Sequence, residues 1–185
     1  ILGNTKISIP KASSNLVTSS GLTNVTFTTL TNLQQSPSGS WIPVDNNLDA
    51  GGRASIVLSG DGTFQAEFQS AQNTDSFAIN LDVSNSLAMP YWGTARYVLF
   101  PKFGNYWFND NQGGAIDSGI PHVNGDLFRI TRTTGVLKAQ YFRGGSWTDI
   151  ATFTGTNTNP LYFYIASAQD GTALKLLNPK QTGAV

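Results

Sequence analysis

Apolar residues recur at every second position in a series of short runs along this chain. Val25-Thr26-Phe27-Thr28-Thr29-Leu30 alternates with the period of a half-buried strand, and Ser36-Pro37-Ser38-Gly39 interrupts it. The runs 54–58 and 63–68 flank Ser59-Gly60-Asp61-Gly62. Turn residues between alternating runs predict a β-hairpin, with Phe64, Ala66 and Phe68 on one face. Further strands are predicted over 77–83, 95–101, 105–109, 126–131, 135–142, 147–153, 161–166 and 173–177. About ten short strands with Gly, Pro, Asn and Asp between them, and no window of helical period, predict an all-β fold: an antiparallel two-sheet β-sandwich or jelly roll. Residues 1–24 hold only Lys6-Ile7-Ser8-Ile9, ended by Pro10, and are read as an edge strand and linker ahead of the sandwich domain, 25–185.

Composition narrows the setting. Of 185 residues, charged residues make up 12%, about half the usual share, and Ser, Thr, Asn, Gln and Gly fill the surface positions instead. That surface suits a protein of the extracellular space or of a cell or virion surface. The 11 basic and 11 acidic residues balance without local clusters, so the field that recruits nucleic acid is missing and none is expected as a partner. No apolar run reaches the roughly 20 residues of a membrane helix, and no membrane insertion is expected. There is no cysteine, which excludes disulfides, thiolate zinc sites and a Cys nucleophile. The chain opens on Ile1 and is read as a processed mature chain or a piece excised from a longer protein, the latter being favoured.

Order and spacing carry a resemblance. Val25-Thr26-Phe27 is followed by Trp41, then by Asp49-Ala50-Gly51-Gly52 leading into a strand, and Gly60-Asp61-Gly62 turns into the run 64–68. Later, Gly125-Asp126-Leu127-Phe128-Arg129-Ile130 precedes Gly135-Val136-Leu137, Tyr141-Phe142-Arg143-Gly144-Gly145 and Pro160-Leu161-Tyr162-Phe163-Tyr164. From Val25 to Leu177 the chain resembles the concanavalin A-like sandwich modules, lectin- and glucanase-like jelly rolls, of bacterial extracellular and cell-surface proteins. Those motifs specify turns and strand registers, so the resemblance implies the fold more strongly than a ligand. The segments 84–92 and 108–122 are longer than a plain hairpin needs, and a ligand preference is expected to reside there.

Hydrolases of the fold that is resembled carry their carboxylates on one strand as Glu-x-Asp-x-Glu. Glu67 is the only glutamate here, with Gln65 and Gln69 two positions either side, so the carboxylate pair that glycoside hydrolysis needs is missing from that motif. Asp45 with Asp49, and Asp110 with Asp117, lie in turn-like sequence where capping explains them. His122 is the only histidine and sits in a loop context with no Gly-x-Ser-x-Gly element, against a catalytic triad. The doublets Gly51-Gly52, Gly113-Gly114 and Gly144-Gly145 open no helix and are turn glycines, not phosphate cradles. No enzymatic activity is expected.

A neutral sugar is bound by an aromatic surface under its C–H face and by amides or carboxylates at its hydroxyls, without net charge. The stretch Phe103 to Gln112 is densest in both. If it is a strand, Tyr106 and Phe108 face one way and Trp107 the other, with Asn109, Asp110 and Asn111 supplying polar groups. Tyr91 and Trp92, between Pro90 and Gly93, form a second aromatic pair. The expected ligand-binding residues are therefore Tyr91, Trp92, Tyr106, Trp107, Asn109, Asp110 and Asn111, while Trp41 and Trp147 are assigned to the core. No cofactor is expected, and a structural calcium is a subsidiary expectation from the clusters 45–49 and 109–111. The function expected is a non-catalytic, lectin-like carbohydrate-binding module. The alternative is an adhesin or phage-fibre receptor-binding or structural module that contacts a cell-surface receptor, another protein or its own copies as an oligomer.

Overall fold

The computed structural model describes residues 21–44, 51–70, 77–83, 95–110, 113–167 and 174–182. Its regular structure is all strand. In chain order the strands are β1 (Thr23–Asn24), β2 (Phe27–Thr31), β3 (Leu33–Gln35), β4 (Trp41–Pro43), β5 (Gly51–Leu58), β6 (Gly62–Ser70), β7 (Phe77–Asp82) and β8 (Tyr97–Lys102). They continue with β9 (Asn105–Asp110), β10 (Ile116–Pro121), β11 (Leu127–Thr133), β12 (Val136–Arg143), β13 (Ser146–Thr152), β14 (Leu161–Ser167) and β15 (Leu174–Gln181).

These strands build two antiparallel sheets. An eight-stranded sheet runs β13-β12-β11-β6-β15-β4-β3, with β1 also on β15, and a seven-stranded sheet runs β10-β9-β8-β7-β14-β5-β2. Two meanders, β7 to β10 and β11 to β13, form one half of the sandwich by local hairpins, while the other strands cross repeatedly between sheets. Alternation along each strand sends one residue in two to the space between the sheets. There Phe64, Ala66, Phe128 and Ile130 of the eight-stranded sheet meet Ile79, Leu81, Leu99 and Phe163 of the other. Phe64 stacks on Phe163 with ring centroids 4.5 Å apart, and Phe27 meets Trp41 edge-on at 5.0 Å. Trp41 is in the core as expected.

The all-β two-sheet reading therefore holds, and three local expectations change. First, the Ser59–Gly62 turn does not close a hairpin. Leu58 pairs with Leu161 in the seven-stranded sheet, whereas Gly62 pairs with Arg132 in the eight-stranded one. The turn chemistry reverses the chain, but β6 finds β11 and β15 on its two sides and has no place for β5. Arg132, 2% exposed, holds this corner from beneath: it donates to the carbonyls of Leu58 (2.6 Å), Gly60 (2.7 Å), Asn157 (3.4 Å) and Asn159 (2.5 Å).

Second, Trp147 is outside the core. It is half-buried on the outer face of the eight-stranded sheet, with the Arg129 guanidinium 3.8 Å from its ring centroid and the Phe142 ring at 5.3 Å. Alternation puts Phe128 and Ile130 inward and Arg129 outward, so the neighbouring strands' outward aromatics meet it there. Third, the long segment 108–122 contains a strand, β10, which makes one edge of the seven-stranded sheet. The segments 1–20 and 84–94 lie outside the described residues; Thr23–Asn24, expected to be linker, pair with Gln181 and Lys180 of β15.

Candidate functional site

The strand β9 reads Asn-Tyr-Trp-Phe-Asn-Asp, and alternation splits it as expected. Tyr106 and Phe108 pack against the core between the sheets, while Trp107 packs on a second apolar cluster, Ala78, Ala95, Val98 and Phe100, on the outer face of the seven-stranded sheet. Trp107 stands opposite Phe100 of β8 and Asp117 of β10. A parallel row, Asn109–Val98–Asn80–Tyr164, crosses four strands of the same face. That row is buried throughout. Burial pushes the Tyr164 hydroxyl up from its ordinary value, the Arg53 charge opposing and Asp82 and Tyr162 adding to it.

Solvent reaches the outer face at the β9–β10 edge. Phe103, at the tip between β8 and β9, is 60% exposed, and its ring meets the half-buried Trp107 at 6.2 Å with planes 74° apart. Two residues along, Asn105 Nδ2 donates to both carboxylate oxygens of the exposed Asp117, at 3.1 Å each. Asp117 Oδ1 also accepts the Gly119 N–H at 2.9 Å, an Asx-type bond across the bulge that Gly119 makes at φ 68°. Trp107 is half-buried, and its Nε1 is turned away from solvent with no hydrogen-bond partner among the described residues. Two aromatic rings, an amide and a carboxylate thus share one accessible edge.

The edge is anchored by a polar knot behind it. Tyr106 is fully buried, and its hydroxyl donates to Asp126 Oδ2 at 3.1 Å. The same carboxylate takes the Val123 N–H at 3.1 Å and Arg143, through Nε at 2.9 Å and Nη2 at 2.5 Å. Arg143 also donates to the Pro121 carbonyl at 2.8 Å, and the His122 N–H donates to Gly104 at 2.8 Å. Burial works against the Asp126 charge, but the bonds from Arg143, Val123 and Tyr106 outweigh it and hold the carboxyl below its usual 3.8. Burial first, then the Asp126 charge and hydrogen bond, push the Tyr106 hydroxyl up and keep it neutral.

Sequence-predicted site residues divide accordingly. Trp107 is at the edge site. Tyr106 belongs to the core instead, because the inward parity of β9 leaves it no exposed face. Asn109 shares the outer face with Trp107 but is 2% exposed, and its Oδ1 has no partner among the described residues. Asp110 has the opposite parity and accepts the Thr154 N–H at 2.6 Å, which holds the loop after β13. Tyr91, Trp92 and Asn111 lie outside the described residues, as does the 45–49 cluster. Among the described residues no three His, Cys, Asp or Glu side chains gather to hold a metal ion. Phe103 and Asn105, inside the stretch 103–112 but not among the residues expected to bind, and Asp117 are the other side chains at this edge; the sequence marks its tip by Phe-Gly at a two-residue turn, where Asn-Gly is the usual filling.

No protein-family model and no curated protein sequence matches the chain. Solved structures do. The VIP36 exoplasmic/lumenal domain in its Ca2+/Man2-bound form is 11% identical over 82% of this chain and 78% of that one, with a TM-score of 0.59. The TRIM65 PSpry domain is 13% identical over 84% and 91%, at 0.60. The carbohydrate-binding module CBM66 of Bacillus subtilis is 11% identical over 88% and 95%, at 0.55. At these identities the likeness establishes the fold, a lectin-like β-sandwich consistent with the concanavalin A-like resemblance.

Proposed function

We propose that this chain is a non-catalytic carbohydrate-binding module of a secreted or surface-displayed protein, and that it takes a neutral glycan at the β9–β10 edge. The observation that carries the reading is the juxtaposition there of Phe103 and Trp107 with the Asn105–Asp117 pair. Aromatic rings cover the C–H face of a pyranose, and an amide–carboxylate pair both donates to and accepts from its hydroxyls. Equal numbers of acidic and basic residues match a ligand without charge. VIP36 with Man2 and CBM66 give the reading a precedent on this sandwich, whereas the PSpry likeness keeps fold alone from deciding the ligand. The described aspartates also support a non-catalytic role. Asp61, Asp82, Asp110 and Asp126 each accept a backbone N–H, and Asp149 pairs with Lys138 and Gln140, which is structural work.

A glycan array with the purified domain, with and without calcium, tests this alongside Trp107→Ala and Asp117→Ala. The expected result is retention of a neutral glycan by the wild type and its loss in both folded variants. Asp117 is exposed, so its variant keeps the test sharp should Trp107→Ala unfold. Silence of the folded wild type on every glycan overturns the proposal in favour of a receptor-binding or self-assembling module, which light scattering would register as a stable oligomer.

A further inference from the structure

The turn between β8 and β9 has only two residues, Phe103 and Gly104, because Lys102 pairs with Asn105. Their φ angles are 50° and 83°, the left-handed backbone that a type I′ turn requires at both positions. Asn, Asp or Gly fills the first position without much cost; a bulky side chain there is strained. Two other turns of this chain show how the requirement is otherwise met. Between β12 and β13 the residues are Gly144 and Gly145, at φ 62° and 89°. Between β11 and β12, Thr134 takes φ 52°, but its N–H donates to Asp61 Oδ1 at 2.7 Å, so a tertiary bond holds the backbone there.

The Phe103-Gly104 turn also has a tertiary bond, from the His122 N–H to the Gly104 carbonyl at 2.8 Å, but the contacts of Phe103 itself belong to its ring. It meets Trp107 near edge-on and has the Lys102 ammonium 4.9 Å from its centroid, while 60% of the residue stays in solvent. An aromatic so exposed gains little of the burial energy that justifies its kind in a fold. A strained backbone retained under an exposed aromatic points to a contact made outside the chain. The angle between the rings then restricts the partner. Coplanar rings lie against the flat face of a crystalline polysaccharide. Rings 74° apart cannot both lie flat on one planar surface, which favours a sugar unit that stands free of lattice neighbours.

Resting on the carbohydrate reading, we infer that Phe103 is a ligand-contacting residue kept in this turn against backbone preference, and that the ligand is a soluble, separately hydrated oligosaccharide or chain end. The experiment uses calorimetric titration with soluble mannobiose, cellohexaose, xylohexaose and maltohexaose, and pull-down on microcrystalline cellulose and crystalline chitin. Wild type is compared with Phe103→Asn and Phe103→Tyr. The expected result is binding to a soluble probe and none to the crystalline ones. Phe103→Asn should bind about tenfold weaker or worse while its Tm rises, because Asn relieves the turn; Phe103→Tyr should keep the affinity. Unchanged affinity in Phe103→Asn overturns the role of Phe103. Retention on a crystalline probe alone overturns the oligosaccharide assignment and leaves the carbohydrate reading standing. Failure of the folded wild type on these probes and on the full glycan array defeats that reading itself.

Discussion

Replacing Arg132 by Met should cost far more than the loss of one surface charge. The guanidinium is 2% exposed and donates to four carbonyls, three of them at 2.5 to 2.7 Å, from Leu58 and Gly60 on one side and Asn157 and Asn159 on the other. No carboxylate forms an ion pair with it among the described residues. Burial draws its pKa below the ordinary arginine value, with the nearby Asp61 charge opposing. Met preserves most of the volume, so packing changes little and the hydrogen bonds decide the outcome. Each carbonyl left unsatisfied costs roughly 1–3 kcal/mol, which for the three short bonds sums to about 3–9 kcal/mol. Relief from desolvating the cation returns several kcal/mol, leaving a net loss of about 3 kcal/mol. Lys would fare little better, since its compact ammonium cannot span carbonyls that a planar fork reaches from three nitrogens. Urea unfolding at neutral pH measures the effect: the midpoint should fall with the slope unchanged, and the Tm should drop by about 6–12 °C for a domain of this size. A loss below about 1 kcal/mol would refute the reasoning, because it would mean that the carbonyls find other donors and that Arg132 does not hold the sheet-crossing corner.

Three further outcomes are expected. The Asp126 carboxyl is held below its usual 3.8, so its native bonds contribute stability above the unfolded value and lose that contribution as the pH falls through the lower folded one. Urea unfolding of wild type and Asp126→Asn should therefore show a gap at neutral pH that closes on acidification below about 4; a gap constant with pH would contradict the assignment. Thermal unfolding of two glycine variants separates strain from collision. Gly144→Ala meets only a left-handed backbone at φ 62° with open space around its Cβ, for about 1 kcal/mol, whereas Gly135→Ala adds a clash with Thr156 Cγ2 and should lose more. Trp147→Ala removes a ring packed on Arg129 and Phe142 at the outer face of the eight-stranded sheet, and should lower stability by about 1–2 kcal/mol through lost burial and the Arg129 stacking while titrations show unchanged glycan affinity.

The alternation of apolar residues was enough to determine that the chain is all-β and where most strands lie, because the period of two is a local property of the pleated backbone. It also separated Tyr106 from Trp107 onto opposite faces of β9 before any partner strand was known. Local pattern does not say which sheet a strand joins. Ser59–Gly62 has the residues of a hairpin turn, yet the edges of β6 are taken by β11 and β15, so the same turn passes between sheets over the Arg132 side chain. Nor does the pattern say which face of a sheet stays open. Asn109 is as polar as Asn105 and has the same parity, but the interior row buries it while the β9–β10 edge leaves Asn105 beside Asp117. The pairing of Asp117 with Asn105, and of the Phe103 ring with Trp107, arises only when β8, β9 and β10 align in register. A sequence supplies the side chains of such an edge; adjacency comes from hydrogen-bonded strands that only the folded chain brings together.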